Sequence, residues 1–303
     1  MHESVLLKES IDNLNLKENS IIVDCTLGYG GHSSEILKRI PKGYLYAFDQ
    51  DEEAITYAKE KLNAIAQNYE IIHTNFVNLK EEMEKRNINP DGILFDLGVS
   101  SPQLDEAERG FSYHKDAKLD MRMNQEQELS AYEVVNDYPY EKLKEILLKY
   151  GEEKYAGSIA KGIINKRKSK SIETTLELAE IVKESVPEKY RNKSHPARKT
   201  FQAIRIEVND ELNVFEKALK ESLEIIKPGG RICVITFHSL EDKICKRIFN
   251  ESSSLPPELK KLPIVPKEYE PKYKLIASIS PTDTEINQNK RSRSSHLRVI
   301  ERR

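Results

Sequence analysis

The sequence predicts an α/β fold: a mostly parallel sheet covered by helices on both faces, interrupted by an all-helical insertion. Three observations carry that expectation. Short apolar runs alternate with helical patterns between residues 21 and 97. The stretch from about Asp105 to Thr200 holds no convincing strand. Two further strand candidates follow late in the chain.

Ile21–Cys25 reads as the first strand and Tyr44–Phe48 as the second, ending at Asp49. Ile71–His73 is a shorter third, and Ile93–Leu97 a fourth with Asp96 near its end. Arg231–Phe237 is a fifth, entered through Pro228-Gly229-Gly230. Between the first two strands, Ile36, Leu37 and Ile40 give Ser33–Arg39 a helical spacing. After the second, Ala54, Ile55, Ala58, Leu62 and Ile65 place one apolar face on Glu52–Ala66. Strand, helix, strand in this rhythm makes parallel neighbours with covering helices. Right-handed crossovers then bring the carboxyl ends of the strands to one edge, where ligands bind.

The insertion reads as helices at Ala131–Asn136, Tyr140–Tyr150, Ala156–Lys166 and Thr174–Val186, with Ser130 and Thr174 as caps and Pro187 after the last. Thr200–Val208 fits either domain, and the helix Asp210–Ile226 leads back to the sheet. Leu255–Pro271 is proline-rich and reads as a loop excursion. Tyr273–Ile279 and His296–Ile300 are the two late strands, expected as an antiparallel pair at one sheet edge. The domain expectation is therefore 1–104, a helical insertion at 105–205, and 206–303.

The chain has 303 residues, 38% hydrophobic and 32% charged, which allows a core under a highly charged surface. Its apolar runs are strand-length, far short of the ~20 residues that span a bilayer. Met1-His2-Glu3-Ser4 does not read as a signal peptide. Cys25, Cys233 and Cys245 include no C-x-x-C pair, which suits buried thiols in a reduced cytoplasmic protein and not a zinc site. Net charge is −2, but positive charge is clustered. One cluster is Lys166 to Lys170. A second holds Arg191, Lys193, Arg198 and Lys199. A third holds Lys290, Arg291, Arg293, Arg298, Arg302 and Arg303. Each reads as solvated surface or as a phosphate footprint, which needs local charge only.

Asp24-Cys25-Thr26-Leu27-Gly28-Tyr29-Gly30-Gly31-His32-Ser33 follows a strand and opens a helix. Glycines there let the backbone turn sharply and approach a ligand. The first helix amides are unpaired donors at the positive end of the dipole. A simple tight turn would look the same, and Asp49 is what favours a ligand. It ends the second strand, where an acid accepts hydrogen bonds from ribose hydroxyls. Asp51 is its neighbour and competitor, but it leads into an exposed helix start. Phe76 lies just past the third strand, where its ring serves either as a core aromatic or as a stacking surface for adenine.

Asp96-Leu97-Gly98-Val99-Ser100-Ser101-Pro102-Gln103 leaves the fourth strand toward the same edge. Asp96 would hold either a cofactor amine or a substrate amine. Ser100-Ser101-Pro102 offers hydroxyls and carbonyls in a constrained turn. Thr236–Asp242 ends the fifth strand and starts a helix, with Ser239 as its cap and Asp242 as the acid three residues on. His238 belongs to the same edge, as a functional or a structural imidazole. No G-x-S-x-G hydrolase signature is present, and no histidine pair has metal-ligand spacing. Ser33 stands where the dinucleotide fingerprint wants a third glycine. With the late antiparallel pair, this favours a Rossmann-like class I methyltransferase sheet over the six-parallel-strand dinucleotide fold.

Eight segments together resemble the bacterial ribosomal RNA small subunit methyltransferase H family over essentially the whole chain. They are Met1–Leu7, Asp24–Ser33, Asp96–Asp105, Arg109–Ser112, Leu119–Met123, His195–Arg198, Phe201–Leu212 and Thr236–Asp242. The resemblance implies methylation of the exocyclic N4 of a 16S ribosomal RNA cytosine, at position 1402 of the decoding centre. S-adenosylmethionine would be the methyl donor, without a metal. Carried across by motif, the cofactor contacts would be Gly30, Gly31, His32, Asp49, Phe76, Asp96 and Gln103. Asp96, Ser101 and His238 are the catalytic candidates. Ser100, Pro102, Asp120, Arg122 and Ser239 are the substrate candidates, with the target base entering between Ser100–Gln103 and His238-Ser239. The implied partner is 16S ribosomal RNA within the small subunit, in the cytoplasm, and a homodimer stays open. The chain departs from the family at Asp116-Ala117-Lys118, where Asp-Gly-Pro is expected, and at Asn124, where Asp is expected. A nicotinamide oxidoreductase and a non-catalytic RNA-binding factor are the rival classes. S-adenosylhomocysteine binding and turnover separate them.

Overall fold

The computed structural model describes residues 4–192, 195–255 and 269–303, with Ser101 and Pro102 described by backbone alone. The Met1-His2-Glu3 part of the first motif, Lys193, and most of the Leu255–Pro271 excursion lie outside these residues. By contact the chain divides into two compact units, one of residues 1–98 and 212–303 and the other of residues 99–211.

The first unit starts with α1 (Leu7–Asn13) and continues through β1 (Ile21–Asp24), α2 (Gly31–Arg39), β2 (Tyr44–Asp49), α3 (Glu52–Asn63) and β3 (Tyr69–His73). A 3-10 turn at Phe76–Asn78 leads into α4 (Leu79–Lys85), and β4 (Gly92–Asp96) follows. The second unit contains α5 (Ser101–Asp105), α6 (Ala131–Asp137), α7 (Tyr140–Lys149), α8 (Ala156–Arg167), α9 (Thr175–Glu184), α10 (Glu188–Arg191) and α11 (Arg198–Asn209). α12 (Glu211–Ile225) returns the chain to the sheet. It is followed by β5 (Arg231–Thr236), α13 (Ser239–Ser253), β6 (Tyr273–Ile279), α14 (Asp283–Gln288), a 3-10 turn at Lys290–Ser294 and β7 (His296–Arg302).

Among the described residues, seven strands form one sheet in the order β3-β2-β1-β4-β5-β7-β6. β1 to β5 run parallel, and β7 is antiparallel to both β5 and β6. The alternation of side chains along each strand builds two cores. Ile93 and Phe95 of β4 and Ile232 and Val234 of β5 face one layer, with Met83 of α4, Phe215 and Leu219 of α12 and Phe249 of α13. Leu94, Cys233 and Ile235 face the other, with Ile11 of α1, Ile36 and Leu37 of α2 and Leu62 of α3. Each fully buried side chain of this size contributes roughly 1.5–3 kcal/mol. A strand with both faces covered must therefore read as a continuous apolar run. After β3 the chain returns to the opposite side of β1 to form β4. That reversal opens a crevice beyond the carboxyl ends of β1 and β4.

In the second unit α7 packs on α8 and α11, and α6 packs on α8 and α11. Ser130 and Thr174 cap α6 and α9 in full capping boxes with Glu133 and Glu177. Because α11 packs on α6 and α7, the Thr200–Val208 segment belongs to the insertion. The insertion therefore runs from Val99 to Glu211, wider than the expected 105–205. α4 had no clear sequence signal, since Leu79 and Met83 are its only buried residues in a run of Lys and Glu. Ala117-Lys118 is extended. The Ala117 carbonyl accepts from Thr175 N–H, the Leu119 N–H donates to Glu173, and Lys118 bridges Thr174. Asn124 Oδ1 accepts the Glu126 N–H at 2.9 Å, a role an Asp would fill equally.

The loop before α6 depends on Gly110. It sits at φ 72°, and a Cβ there would lie 2.5 Å from the Lys118 carbonyl oxygen. Gly110→Ala is expected to cost about 2 kcal/mol or more, read as a lower urea midpoint. An unchanged midpoint would show that this loop does not hold the insertion together.

Candidate active site

The site builds outward from Asp24, the last residue of β1. Its carboxyl group is completely buried. It accepts hydrogen bonds from Thr26 N–H at 3.0 Å and from Ser33 Oγ at 2.7 Å. Burial raises its pKa, and the serine and threonine donors oppose that rise. The turn that follows uses left-handed backbone at Gly28 (φ 48°) and Gly30 (φ 73°), the latter just before α2. Leu27 N–H reaches across to the Phe48 carbonyl at 2.9 Å, which ties the turn to β2.

Asp49 ends β2 against this turn. Its Oδ2 accepts the Gly28 N–H at 2.8 Å, and its Oδ1 accepts the Asp51 N–H at 2.9 Å. Burial pushes its pKa up to about 6 despite those donors. Asp51 is used differently, as the buried N-cap of α3 that accepts the Glu53 N–H. Phe76 stands in the 3-10 turn after β3, partly exposed, and meets Phe95 edge-on with 5.7 Å between ring centroids. Asn75 beside it donates to Gln50 Oε1 at 3.0 Å, joining the exits of β3 and β2.

Asp96 ends β4, and its N–H donates to Thr26 Oγ1 at 2.7 Å. Its Oδ2 lies 3.5 Å from His32 Nδ1, while its Oδ1 is buried with no hydrogen-bond partner. Burial, together with the carboxylates of Asp24 and Glu241, pushes the Asp96 pKa well above the ordinary carboxyl range. His32 is buried in the first turn of α2, with Nε2 3.2 Å from the Val5 carbonyl. That carbonyl can only accept, so Nε2 carries the proton and the unprotonated Nδ1 faces Asp96. Burial lowers the His32 pKa to about 4, and the imidazole is neutral at physiological pH.

The exit of β5 carries His238 and Ser239. Here the cap falls one residue before the expected Ser239. His238 is the N-cap of α13, and Glu241 is its capping-box partner in place of Asp242. Glu241 decides this register, because its Oε2 accepts both the Phe237 and the His238 N–H groups, at 2.7 and 3.2 Å. Asp242 pairs instead with Arg298 of β7.

The remaining candidates lie in the second unit. Ser100 N–H donates to Gln103 Oε1 at 3.0 Å, and Gln103 N–H to Ser100 Oγ at 3.3 Å, which closes the start of α5 on itself. Ser101 and Pro102 are the first residues of α5, and their side chains lie outside the described set. Asp120 holds Arg122 through both carboxylate oxygens, at 3.0 and 2.8 Å, and Arg122 Nη1 also donates to the Gln127 carbonyl. Arg109 and Asn209 bind the backbone of residues 121–123. Leu119–Met123 is thus a braced loop.

The structure joins the glycine turn, His32, Asp49 and Asp96 through direct hydrogen bonds or close contacts. It places Ser100, Gln103, Asp120 and Arg122 in another unit. Sequence reading passed over Thr26, Val5 and Glu241. Thr26 and Glu241 did carry local signals, the first two residues after an Asp and the second at the third position of a helix. Val5 acts through its carbonyl, which no side-chain pattern reveals.

A switch-point crevice lined by a glycine turn, a strand-end acid and a second strand-end acid, on a sheet with an antiparallel β7, defines a class I methyltransferase. The chain belongs to the MraW methylase family, which it matches over residues 1–303. It is 55% identical to the ribosomal RNA small subunit methyltransferase H of Exiguobacterium sibiricum, over 99% of this chain and 98% of that one. Among solved structures, an rRNA methylase from Streptococcus thermophilus aligns with 100% of this chain and 99% of its own, at 13% identity and a TM-score of 0.45. TrmN from Thermus thermophilus aligns with 98% of this chain and 48% of its own, at 12% identity and a TM-score of 0.43. The fold assignment rests on the strand order itself.

Thr26→Val removes the acceptor for the Asp96 N–H and is expected to cost about 1–3 kcal/mol. Thr26→Ser should retain most of that stability. Equal urea midpoints for the two variants would overturn the role of this hydroxyl.

Proposed function

We propose that the protein transfers the methyl group of S-adenosylmethionine to the exocyclic N4 of a cytosine in 16S ribosomal RNA, cytosine 1402 of the decoding centre. The observation that carries this reading is the 55% identity, along almost the full length of both chains, to a relative named for small-subunit ribosomal RNA. The reading implies a cytoplasmic setting. No helix among the described residues is long and apolar enough to cross a membrane.

The residues at the sheet edge fit the donor. Asp96 Oδ1 is buried and unpaired, a costly state that a ligand's hydrogen-bond donor would relieve. Gly30, Gly31 and His32 would hold the donor at the start of α2, Asp49 its ribose and Phe76 its adenine, with Gln103 a further contact. The sulfonium supplies an already activated methyl group. What remains for the chain is to align the amine and to exclude water. Asp96 is suited to hold an amine, because its unpaired Oδ1 at the end of β4 is free to take a hydrogen bond from one. His238, Ser101 and Ser239 are the further candidates for aligning the base, and Ser100, Pro102, Asp120 and Arg122 for contacts to the RNA strand. The target cytosine has to leave its stack to present N4.

The direct test incubates the protein with labelled S-adenosylmethionine and small ribosomal subunits that lack the modification. Label should appear in N4-methylcytidine after digestion, and Asp96→Ala should lower the rate at least 100-fold while remaining folded. Label on another nucleoside, or none, would sink the substrate assignment.

Asp49 adds a pH dependence. Its pKa is raised from 3.8 to about 6. In the cofactor-free protein it contributes stability that is present below pH 3.8 and lost as pH rises through about 6. The ionised form is the better acceptor for a ribose hydroxyl. Affinity for S-adenosylhomocysteine, measured by calorimetry, should therefore fall as pH drops below about 6. Asp49→Asn should weaken binding at pH 8 about tenfold and flatten that step. An identical pH profile in the variant would remove Asp49 from the ribose site.

A further inference from the structure

A cavity of about 360 Å³ lies in the first unit, beside the exit of β5. One wall is the end of β5 and the start of α13. The other is the connection between β6 and β7, with α14 and the 3-10 turn at Lys290–Ser294. The volume falls in the range of ~300–1,000 Å³ typical of small-ligand sites and suits a single nucleotide unit.

The two charged lining residues, Asp242 and Arg293, differ in what already holds them. Asp242 contributes a carboxylate, but Arg298 holds it through both oxygens, at 2.7 and 3.0 Å, and keeps its pKa low. His296 is fixed between two hydroxyls, Ser278 Oγ at 2.7 Å and Ser280 Oγ at 3.1 Å. Arg293 is exposed on the same lining and has no hydrogen-bond or ion-pair partner among the described residues. It therefore offers guanidinium donors that no described residue takes, at a hydroxyl-bearing wall. The rest of the basic tail is engaged at several points. Arg298 is committed to Asp242, and Arg302 donates to the Ile226 carbonyl. Pro281, Ile286 and Phe237 give the cavity an apolar side.

We propose that this cavity binds one nucleotide of the RNA strand next to the target cytosine. Its phosphodiester sits on Arg293, and its base lies against Pro281 and Ile286. A planar guanidinium with free donors matches a phosphate in a forked geometry. Hydroxyl groups and an imidazole serve a ribose. An apolar wall accepts an unstacked base, the usual target in single-stranded RNA. The assignment rests on the RNA reading proposed above and adds to it a subsite on the β6–β7 side of the sheet edge.

The test uses the full chain and its Arg293→Ala and Arg293→Lys variants. Fluorescence anisotropy follows binding of a short single-stranded RNA with the 16S sequence around the target, across a salt series. Calorimetry with S-adenosylhomocysteine runs in parallel. Arg293→Ala should weaken RNA binding about fivefold or more at 0.1 M salt and reduce the slope of log affinity against log salt by about 0.7, the value for one lost phosphate contact on a single strand. Arg293→Lys should restore the slope and only part of the affinity. Cofactor affinity should be the same in all three proteins. If the wild type binds the RNA and methylates subunits while Arg293→Ala matches it in affinity and slope, the subsite is wrong and the proposed activity stands. If the wild type neither binds the RNA nor methylates subunits, the RNA reading falls and the subsite with it. Cytidine 5′-monophosphate that binds the wild type and is lost in Arg293→Ala, with RNA binding unchanged, would assign the cavity to a free nucleotide and overturn the proposal.

Discussion

The buried carboxyl group of Asp24 is the constraint on which the rest of the sheet edge depends. It sits where β1 stops, takes hydrogen bonds from Thr26 N–H and from Ser33 in the first turn of α2, and so fixes both ends of the glycine turn. Thr26 passes that constraint on, since its hydroxyl accepts the N–H of Asp96 at the end of β4. Asp24 is therefore linked through Thr26 to the exit of the neighbouring strand across the switch point. A polar group so deeply buried persists only when its partners are all in place. The apolar layers on both faces supply the rigidity that keeps them there.

Much of the sheet was legible because both of its faces are covered. Runs such as Ile232–Ile235 must be apolar throughout, which makes them visible without any partner. The capping boxes at Ser130 and Thr174 were visible for a similar reason, since each is closed within four residues. α4 was hidden because a short exposed helix of Lys and Glu needs only Leu79 and Met83 to pack. The cap of α13 was misplaced by one residue. His238 and Ser239 both precede an acid at the right spacing, and the choice is made by Glu241 accepting two backbone N–H groups.

At the sheet edge, position along the strands was enough to place Asp49 and Asp96 at the exits of β2 and β4, while Phe76 stayed open between a core ring and a stacking surface. The preference for Asp49 over Asp51 followed from the helix start after Asp51, and the structure adds the partners: one carboxylate faces the glycine turn and the other caps α3. The pairing of Asp120 with Arg122 was equally out of reach. Two residues apart, they looked like a pair of charges offered to RNA, and the structure shows them holding one another. A sequence displays which groups can form hydrogen bonds, but not which bonds are already satisfied inside the chain.

The placement of β7 has a consequence for how the protein is made. β7 comes after every other strand in the chain, yet it lies between β5 and β6 and pairs with both. The Leu6 N–H, next to the residue whose carbonyl orients His32, is held by Glu285 at 2.7 Å, just before that strand. A nascent chain can stack β1 to β4 as they emerge, but it leaves β5 with an open edge and the His32 brace without its anchor. The pairing of β5 with β7 and the hold of Glu285 on Leu6 form only once the segment through Arg302 has been synthesised and has slotted into place. Completion of the sheet edge is thus a late, non-local step of folding, although Asp24, His32, Asp49 and Asp96 all come from the first hundred residues.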